Sequence, residues 1–234
     1  RTDRDNWTYM YELGGFDQSA HYIEVDHEGV VWVSHDFKGI YKLKTDKRFQ
    51  KVHSIGFYDE KNGLPQKYDN RVFSIDNKIL IGTRSGIYTY EPKTDSFIRS
   101  GYLSEFIDRS SAVEFLYDDN GQNVWCYING QPELITSYRS SNAKMISIPF
   151  IPLVNQIITN YGQVNVFSGG DAVIGIEGGF AHYSHLKQFN TKIKPVIYIS
   201  SIHSGDTSEG IFRFNSTEGK QQIIPRFSYK GNKV

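Results

Sequence analysis

Val25-Asp26-His27-Glu28-Gly29-Val30-Val31-Trp32-Val33-Ser34, followed by Lys38-Gly39-Ile40-Tyr41-Lys42-Leu43, is the stretch on which the fold turns. It comes back as Ser74-Ile75-Asp76-Asn77-Lys78-Ile79-Leu80-Ile81-Gly82-Thr83, then Ser85-Gly86-Ile87-Tyr88-Thr89-Tyr90. A third copy reads Tyr117-Asp118-Asp119-Asn120-Gly121-Gln122-Asn123-Val124-Trp125-Cys126, with Gly130 behind it. A fourth, weaker copy reads Phe167-Ser168-Gly169-Gly170-Asp171-Ala172-Val173-Ile174-Gly175, then Gly178-Gly179-Phe180-Ala181-His182-Tyr183. The punctuating glycines at 39, 86, 130 and 179 are spaced by 47, 44 and 49 residues. Units of this length built of short strands are what propeller blades look like in sequence.

The pattern inside one unit supports that reading. Tyr22-Ile23-Glu24-Val25 alternates with period two and predicts a strand; the polar cluster 26–29 predicts a turn; Val30 to Ser34 predicts the next strand. Ile40-Tyr41-Lys42-Leu43 gives a third strand and Phe49-Gln50-Lys51-Val52-His53 a fourth. Helix is nearly absent: turn residues interrupt almost every window, and only residues 102–108 suit a helical turn. The expected fold is all-β, a partial β-propeller of about four blades of four antiparallel strands over residues 1–188. Residues 189–234 break the pattern. They read as a linker followed by a β-prone strand, Pro195-Val196-Ile197-Tyr198-Ile199-Ser200-Ser201-Ile202, with further short strands at 211–214 and 222–224, the first strands of a β-sandwich.

Composition excludes more than it assigns. Among the 234 residues, 26 basic side chains balance 26 acidic ones, so no net field recruits nucleic acid or an anionic membrane. The single cysteine, Cys126, rules out an intramolecular disulfide and sits where a buried, inert thiol is expected. Neither a secretory leader nor a spanning helix is legible: the most apolar stretch, residues 145–158, is short and broken by Pro149, Pro152 and Asn155. The chain is expected to be a piece of a longer protein, touching the membrane only through the parts outside it.

Asn62-Gly63-Leu64-Pro65, Val72-Phe73-Ser74-Ile75-Asp76, Ile79-Leu80-Ile81-Gly82-Thr83 and Gly86-Ile87-Tyr88-Thr89-Tyr90 together resemble the two-component regulator propeller repeat. The first copy, through Gly29-Val30-Val31-Trp32-Val33-Ser34, fits closely; the third departs, with Cys126-Tyr127 where the pattern has Gly-Thr, and the fourth lacks the aromatic. Pro195-Val196-Ile197-Tyr198-Ile199 and Arg226-Phe227-Ser228-Tyr229-Lys230-Gly231-Asn232 resemble the start of the triple-tyrosine module that follows such propellers. The resemblance spans roughly residues 10–234. It implies a periplasmic sensor segment of a membrane regulator from Bacteroidetes-like bacteria, responding to glycan breakdown products and signalling to a cytoplasmic kinase or DNA-binding output.

The tempting chemical motifs reduce to turns and core. Asp118-Asp119-Asn120-Gly121-Gln122 and Asp26-His27-Glu28-Gly29 lack the downstream glutamate of a calcium loop and read as hairpin turns. His182 and His185 are expected to point to opposite faces of a strand. Trp32 and Trp125 recur at one blade position and are expected in the packing between blades. No Gly-x-Ser-x-Gly, Walker or His-Glu-x-x-His motif occurs, so no catalytic residue, metal or cofactor is assigned.

A ligand site is expected on the rim formed by loops that lead into the innermost strands and by those joining second to third strands. These carry His35, Asp36, Tyr68, Asn70, Arg71, Arg84 and Asn129, side chains suited to pairing with sugar hydroxyls. The expected partners are an oligosaccharide and a second chain, met as a homodimer or through an unpaired strand edge. The alternatives are a propeller enzyme of the polysaccharide lyase or glycosidase kind, and a protein-interaction scaffold.

Overall fold

The computed structural model describes residues 9–119, 122–158 and 161–186, and the backbone of 201–202 and 212–213. The chain divides into two compact units, Arg1–Lys187 and Gln188–Val234.

In the first unit the repeats become four small antiparallel sheets in a propeller arrangement. Blade 1 is β1 (Tyr22–Val25), β2 (Val31–His35), β3 (Gly39–Thr45) and β4 (Val52–Tyr58). Blade 2 is β5 (Arg71–Ile75), β6 (Lys78–Thr83), β7 (Gly86–Glu91) and β8 (Ser96–Arg99). Blade 3 is β9 (Val113–Asp118), β10 (Asn123–Ile128), β11 (Gln131–Thr136) and β12 (Lys144–Ile146). Blade 4 shows β13 (Val164–Val166), β14 (Ala172–Ile176) and β15 (Gly179–Tyr183) among the described residues. Within each blade the strands lie in chain order, as short hairpins require.

Aromatic and branched side chains fill the space between blades, as a stack of sheets demands. Tyr22 of β1, Phe73 of β5 and Phe115 of β9 follow one another edge to face, at 5.5 and 6.1 Å. Trp32 is buried between blades 1 and 2 beside Tyr58, Tyr90 and Phe97. Its indole N–H donates to Asp26 Oδ2 at 2.9 Å, so the turn that opens β2 also anchors its tryptophan. Trp125 packs against Phe150 and Tyr183, which joins blade 3 to blade 4. Cys126 is fully buried, and burial pushes its thiol up out of reach of ionisation.

The Asn62-Gly63-Leu64-Pro65 run has a clear structural job. Asp59 and Asn62 cap a short 3-10 turn (Glu60–Asn62) reciprocally, and Gly63 follows at φ 91°. A Cβ on Gly63 would lie 2.1 Å from the Phe97 carbonyl oxygen, so only glycine lets this turn lie against β8. Leu64 then drops into the core between blades 1 and 2.

The structure departs from the expected elements at two places and keeps the helical turn at 102–108. The fourth strand of blade 1 runs Val52–Tyr58 instead of 49–53. The cause is Asp46, whose Oδ1 accepts the Gln50 and Lys51 N–H groups while Phe49 adopts φ 57°, extending the turn through residues expected to be strand. Residues 102–108 make one hydrogen-bonded turn, Ile107 N–H to Leu103 C=O at 2.9 Å. The proline-rich stretch contains a 3-10 helix, Ile148–Leu153, that periodicity did not reveal.

One face of blade 1 is apolar throughout: register aligns Ile23 and Val25, Val33 and Val31, Tyr41 and Leu43, and Phe57 and Ile55. Leu13 and Phe16 cover its centre, and Gly14 pairs with Gln50 and Val52, which blunts the outer edge there. Ile23, Val25, Ile55 and Phe57 stay exposed.

In the second unit β16 (Ser201–Ile202) pairs antiparallel with β17 (Phe212–Arg213). The linker at 189–195 and the strand at 222–224 lie outside the described residues.

Candidate functional site

The residues ahead of β1, β5, β9 and β13 and the β2–β3, β6–β7 and β10–β11 turns all fall at one end of the sheets, because antiparallel pairing returns each second strand to the start of the first. This end carries two clusters of polar and aromatic side chains.

Blade 2 supplies an ionic cluster. Asp69, held at φ 57° just before β5, offers one carboxylate oxygen to Arg84 at 2.6 Å and the other to Arg71 at 3.5 Å. Arg71 is buried as the first residue of β5, whereas Arg84 projects from the β6–β7 turn and is well exposed. The Arg84 guanidinium also lies over the exposed Tyr68 ring, 5.1 Å from its centre.

Blade 1 supplies a second cluster. His21 Nδ1 pairs with Asp36 Oδ1 at 2.5 Å, and the imidazole leans on Tyr22 and on Tyr161, at 4.6 and 5.5 Å between ring centres. Tyr161 belongs to the segment leading into blade 4, so this corner joins the first and last blades. Tyr22 ties the two clusters together. Burial raises its hydroxyl pKa above the ordinary value; Arg71 opposes that rise, while Asp36 and Tyr161 add to it.

Of the seven residues expected on the rim, Arg71 and Arg84 share Asp69, Tyr68 lies under Arg84, and Asp36 pairs with His21 in the blade 1 cluster. Of the other three, His35 and Asn70 are buried, and Asn129 is exposed with its side-chain oxygen bonded to a neighbouring loop. His35 is buried, its Nδ1 accepting the Phe37 N–H at 3.1 Å. Asn70 is buried and donates to the Gln66 carbonyl at 2.8 Å. Asn129 closes a loop: its Oδ1 accepts the Ala112 N–H at 2.8 Å. Their amide and imidazole groups hold loops in shape.

Sequence reading missed Asp69, His21 and Tyr161. Asp69 stands within the loop already singled out, between two residues that were named. His21 and Tyr161 lead into β1 and β13, and the same loop rule applied to blades 1 and 4 finds both.

At the opposite end acidic turn residues are used for packing. Asp76 binds Arg139 at 2.5 Å and Tyr102 at 3.1 Å, and Asp118 accepts from Tyr138 at 2.9 Å. His182 and His185 do not diverge: both meet Asp171, at 3.5 and 3.1 Å, because β15 ends at Tyr183 and strand alternation ends with it. The His185 hydrogen bond, ahead of the other contacts, holds the Asp171 carboxyl below its ordinary value. No group of three or more His, Cys, Asp or Glu side chains among the described residues is arranged to hold a metal ion.

No protein-family profile matches the chain, and no curated protein does. Among solved structures it is similar to the extracellular domain assigned to a hybrid two component system of B. thetaiotaomicron, with 17% identity, a TM-score of 0.50, and 88% of this chain and 25% of that one covered. A second such B. thetaiotaomicron domain matches at 18% identity and TM-score 0.47, covering 80% of this chain and 24% of that one. A catalytically inactive variant of virginiamycin B lyase from Staphylococcus aureus matches at 15% identity and TM-score 0.45, covering 75% of this chain and 56% of that one. The chain thus spans about a quarter of the length of the first two structures. At these identities the likeness is one of fold. No helix among the described residues is long and apolar enough to cross a membrane.

Proposed function

We propose that this chain is a ligand-sensing propeller segment from the extracytoplasmic part of a two-component type regulator, and that its rim binds a neutral or weakly acidic oligosaccharide. One observation carries the reading: Tyr68, Asp69, Arg71 and Arg84 gather beside His21, Asp36 and Tyr161 at one end of the blades. Guanidinium and carboxylate groups pair in two-pronged fashion with vicinal hydroxyls, and exposed rings offer stacking faces. The fold likeness to extracellular sensor domains agrees with this role.

The site is built for binding. His21 and Asp36 form an acid–base pair, but no hydroxyl or thiol nucleophile is hydrogen-bonded to that imidazole among the described residues. A ligand bridging blades 1, 2 and 4 binds one arrangement of their loops best and shifts the population toward it, which is how a sensor without chemistry transmits occupancy.

A second reading, the interaction scaffold, draws on the exposed apolar residues Ile23, Val25, Ile55 and Phe57 on one face of blade 1. It predicts self-association that weakens on Phe57→Ser and ignores sugars.

Thermal shift against defined oligosaccharides, with product analysis, separates the readings. A ligand at ten times its Kd adds about 1.4 kcal/mol, roughly 3–6 °C for a domain of this size. A selective shift with the sugar intact supports the sensor; cleaved sugar supports the enzyme; silence across the panel removes the sensor reading.

A further inference from the structure

Trp125 holds the same place in blade 3 that Trp32 holds in blade 1, and each follows an aspartate by six residues. In blade 1 the indole N–H is satisfied by Asp26. In blade 3 the matching carboxylate, Asp119, is taken by Asn123: its Oδ1 accepts the Asn123 N–H and its Oδ2 the side-chain amide, both at 2.7 Å. The Trp125 indole N–H is therefore buried without a hydrogen-bond partner among the described residues, on a side chain only 3% exposed. Leaving such a donor unpaired is costly, so it marks a place where an acceptor belongs.

The Trp125 side chain lines a cavity of about 700 Å³ between blades 3 and 4, together with Asp119, Gln122, Thr136, Ser168, Tyr183 and His185. We propose that this cavity is a ligand site, separate from the rim, for a small neutral polyhydroxyl compound whose oxygen accepts from Trp125. An anion would face the Asp119 carboxylate, and a hydrocarbon would leave the indole unpaired. A hydroxyl accepts from the indole while donating to Gln122, Ser168 or Asp119, and Trp125 and Tyr183 supply ring faces. The site does not depend on the rim reading.

The test is an NMR titration of the ¹⁵N-labelled protein with glucose, maltose and glycerol, and with acetate as an anionic control, following the assigned Trp125 indole N–H. The expected result is a saturable shift of Trp125 by at least one polyol, no shift of Trp32, and none with acetate. Asn123→Ala frees Asp119 for the indole, so it moves the Trp125 resonance without ligand and weakens polyol binding about fivefold. Trp125→Phe keeps a ring and removes the donor, with a similar loss. Saturable binding that survives both substitutions, or no Trp125 shift with any polyol at millimolar concentration, overturns the proposal.

Discussion

The Val72 N–H, on the inner edge of blade 2, donates to Ser34 Oγ of blade 1 at 2.7 Å. Both residues are buried, and the bond lies at the end of the sheets that carries the rim. It fixes the spacing of β2 and β5, and with it the distance between the His21–Asp36 pair and the Asp69 cluster. Ser34→Ala leaves a buried backbone donor unpaired and is expected to cost about 1–3 kcal/mol, measured by chemical denaturation. Ser34→Thr, which keeps the acceptor, recovers part of that loss.

Gly63 and Gly130 separate two reasons for glycine. Both have positive φ, 91° and 74°. Around Gly130 nothing lies within 4 Å of a built Cβ, so Gly130→Ala incurs only the left-handed backbone cost, about 1–2 kcal/mol. Gly63→Ala drives a methyl into the Phe97 carbonyl as well, and its loss of stability is expected to exceed that of Gly130→Ala. Equal losses in paired melts would show that the Glu60–Asn62 turn is not packed as described.

Glu24 gives a pH signature. Burial holds its carboxyl above the ordinary value, with a backbone hydrogen bond from Ser74 opposing. A raised folded-state pKa means that ionised Glu24 disfavours the fold at neutral pH, and that this disadvantage fades as pH falls through the folded pKa. Glu24→Gln is expected to raise Tm at pH 7, with the gain gone below the unfolded-chain value near 4.5. A gain that persists at pH 3.5, or that is absent at pH 7, contradicts the burial.

The blades were legible because one aspartate-rich turn, one aromatic position and one glycine recur at a nearly fixed spacing, and each has a local cause. Asp26 binds its own turn and Trp32; Gly39 lies against the Tyr58 carbonyl oxygen, where a Cβ would come within 2.2 Å. The fourth strand of blade 1 was less legible because Asp46 decides where it begins, through hydrogen bonds that apolar periodicity does not register. The rim was half legible for a related reason. Loop position can be read from the repeat, but the direction of a loop side chain depends on its partners. Asn129 bends back to the Ala112 N–H while Arg84 reaches across to Asp69 and Tyr68, and both are polar loop residues in the sequence. The orphaned Trp125 donor was hidden because Asn123 competes for Asp119 through a side-chain contact.

Breaking the blade 2 cluster should spare the fold. The Asp69–Arg84 pair is exposed on the arginine side and contributes about 0–1 kcal/mol, and asparagine tolerates the positive φ of position 69. The asparagine amide oxygen still offers the buried Arg71 an acceptor, so Asp69→Asn is expected to shift Tm by no more than about 3 °C while removing the charge that Arg71 and Arg84 share.

That variant provides the most direct measurement on the rim. The same oligosaccharide panel is titrated calorimetrically into the wild-type protein and into Asp69→Asn. Saturable binding to the wild type is expected, with at least about tenfold weaker binding to the variant, the loss of roughly one charge-assisted contact. Equal affinity for both proteins, or no binding to either, would contradict the rim as the binding site.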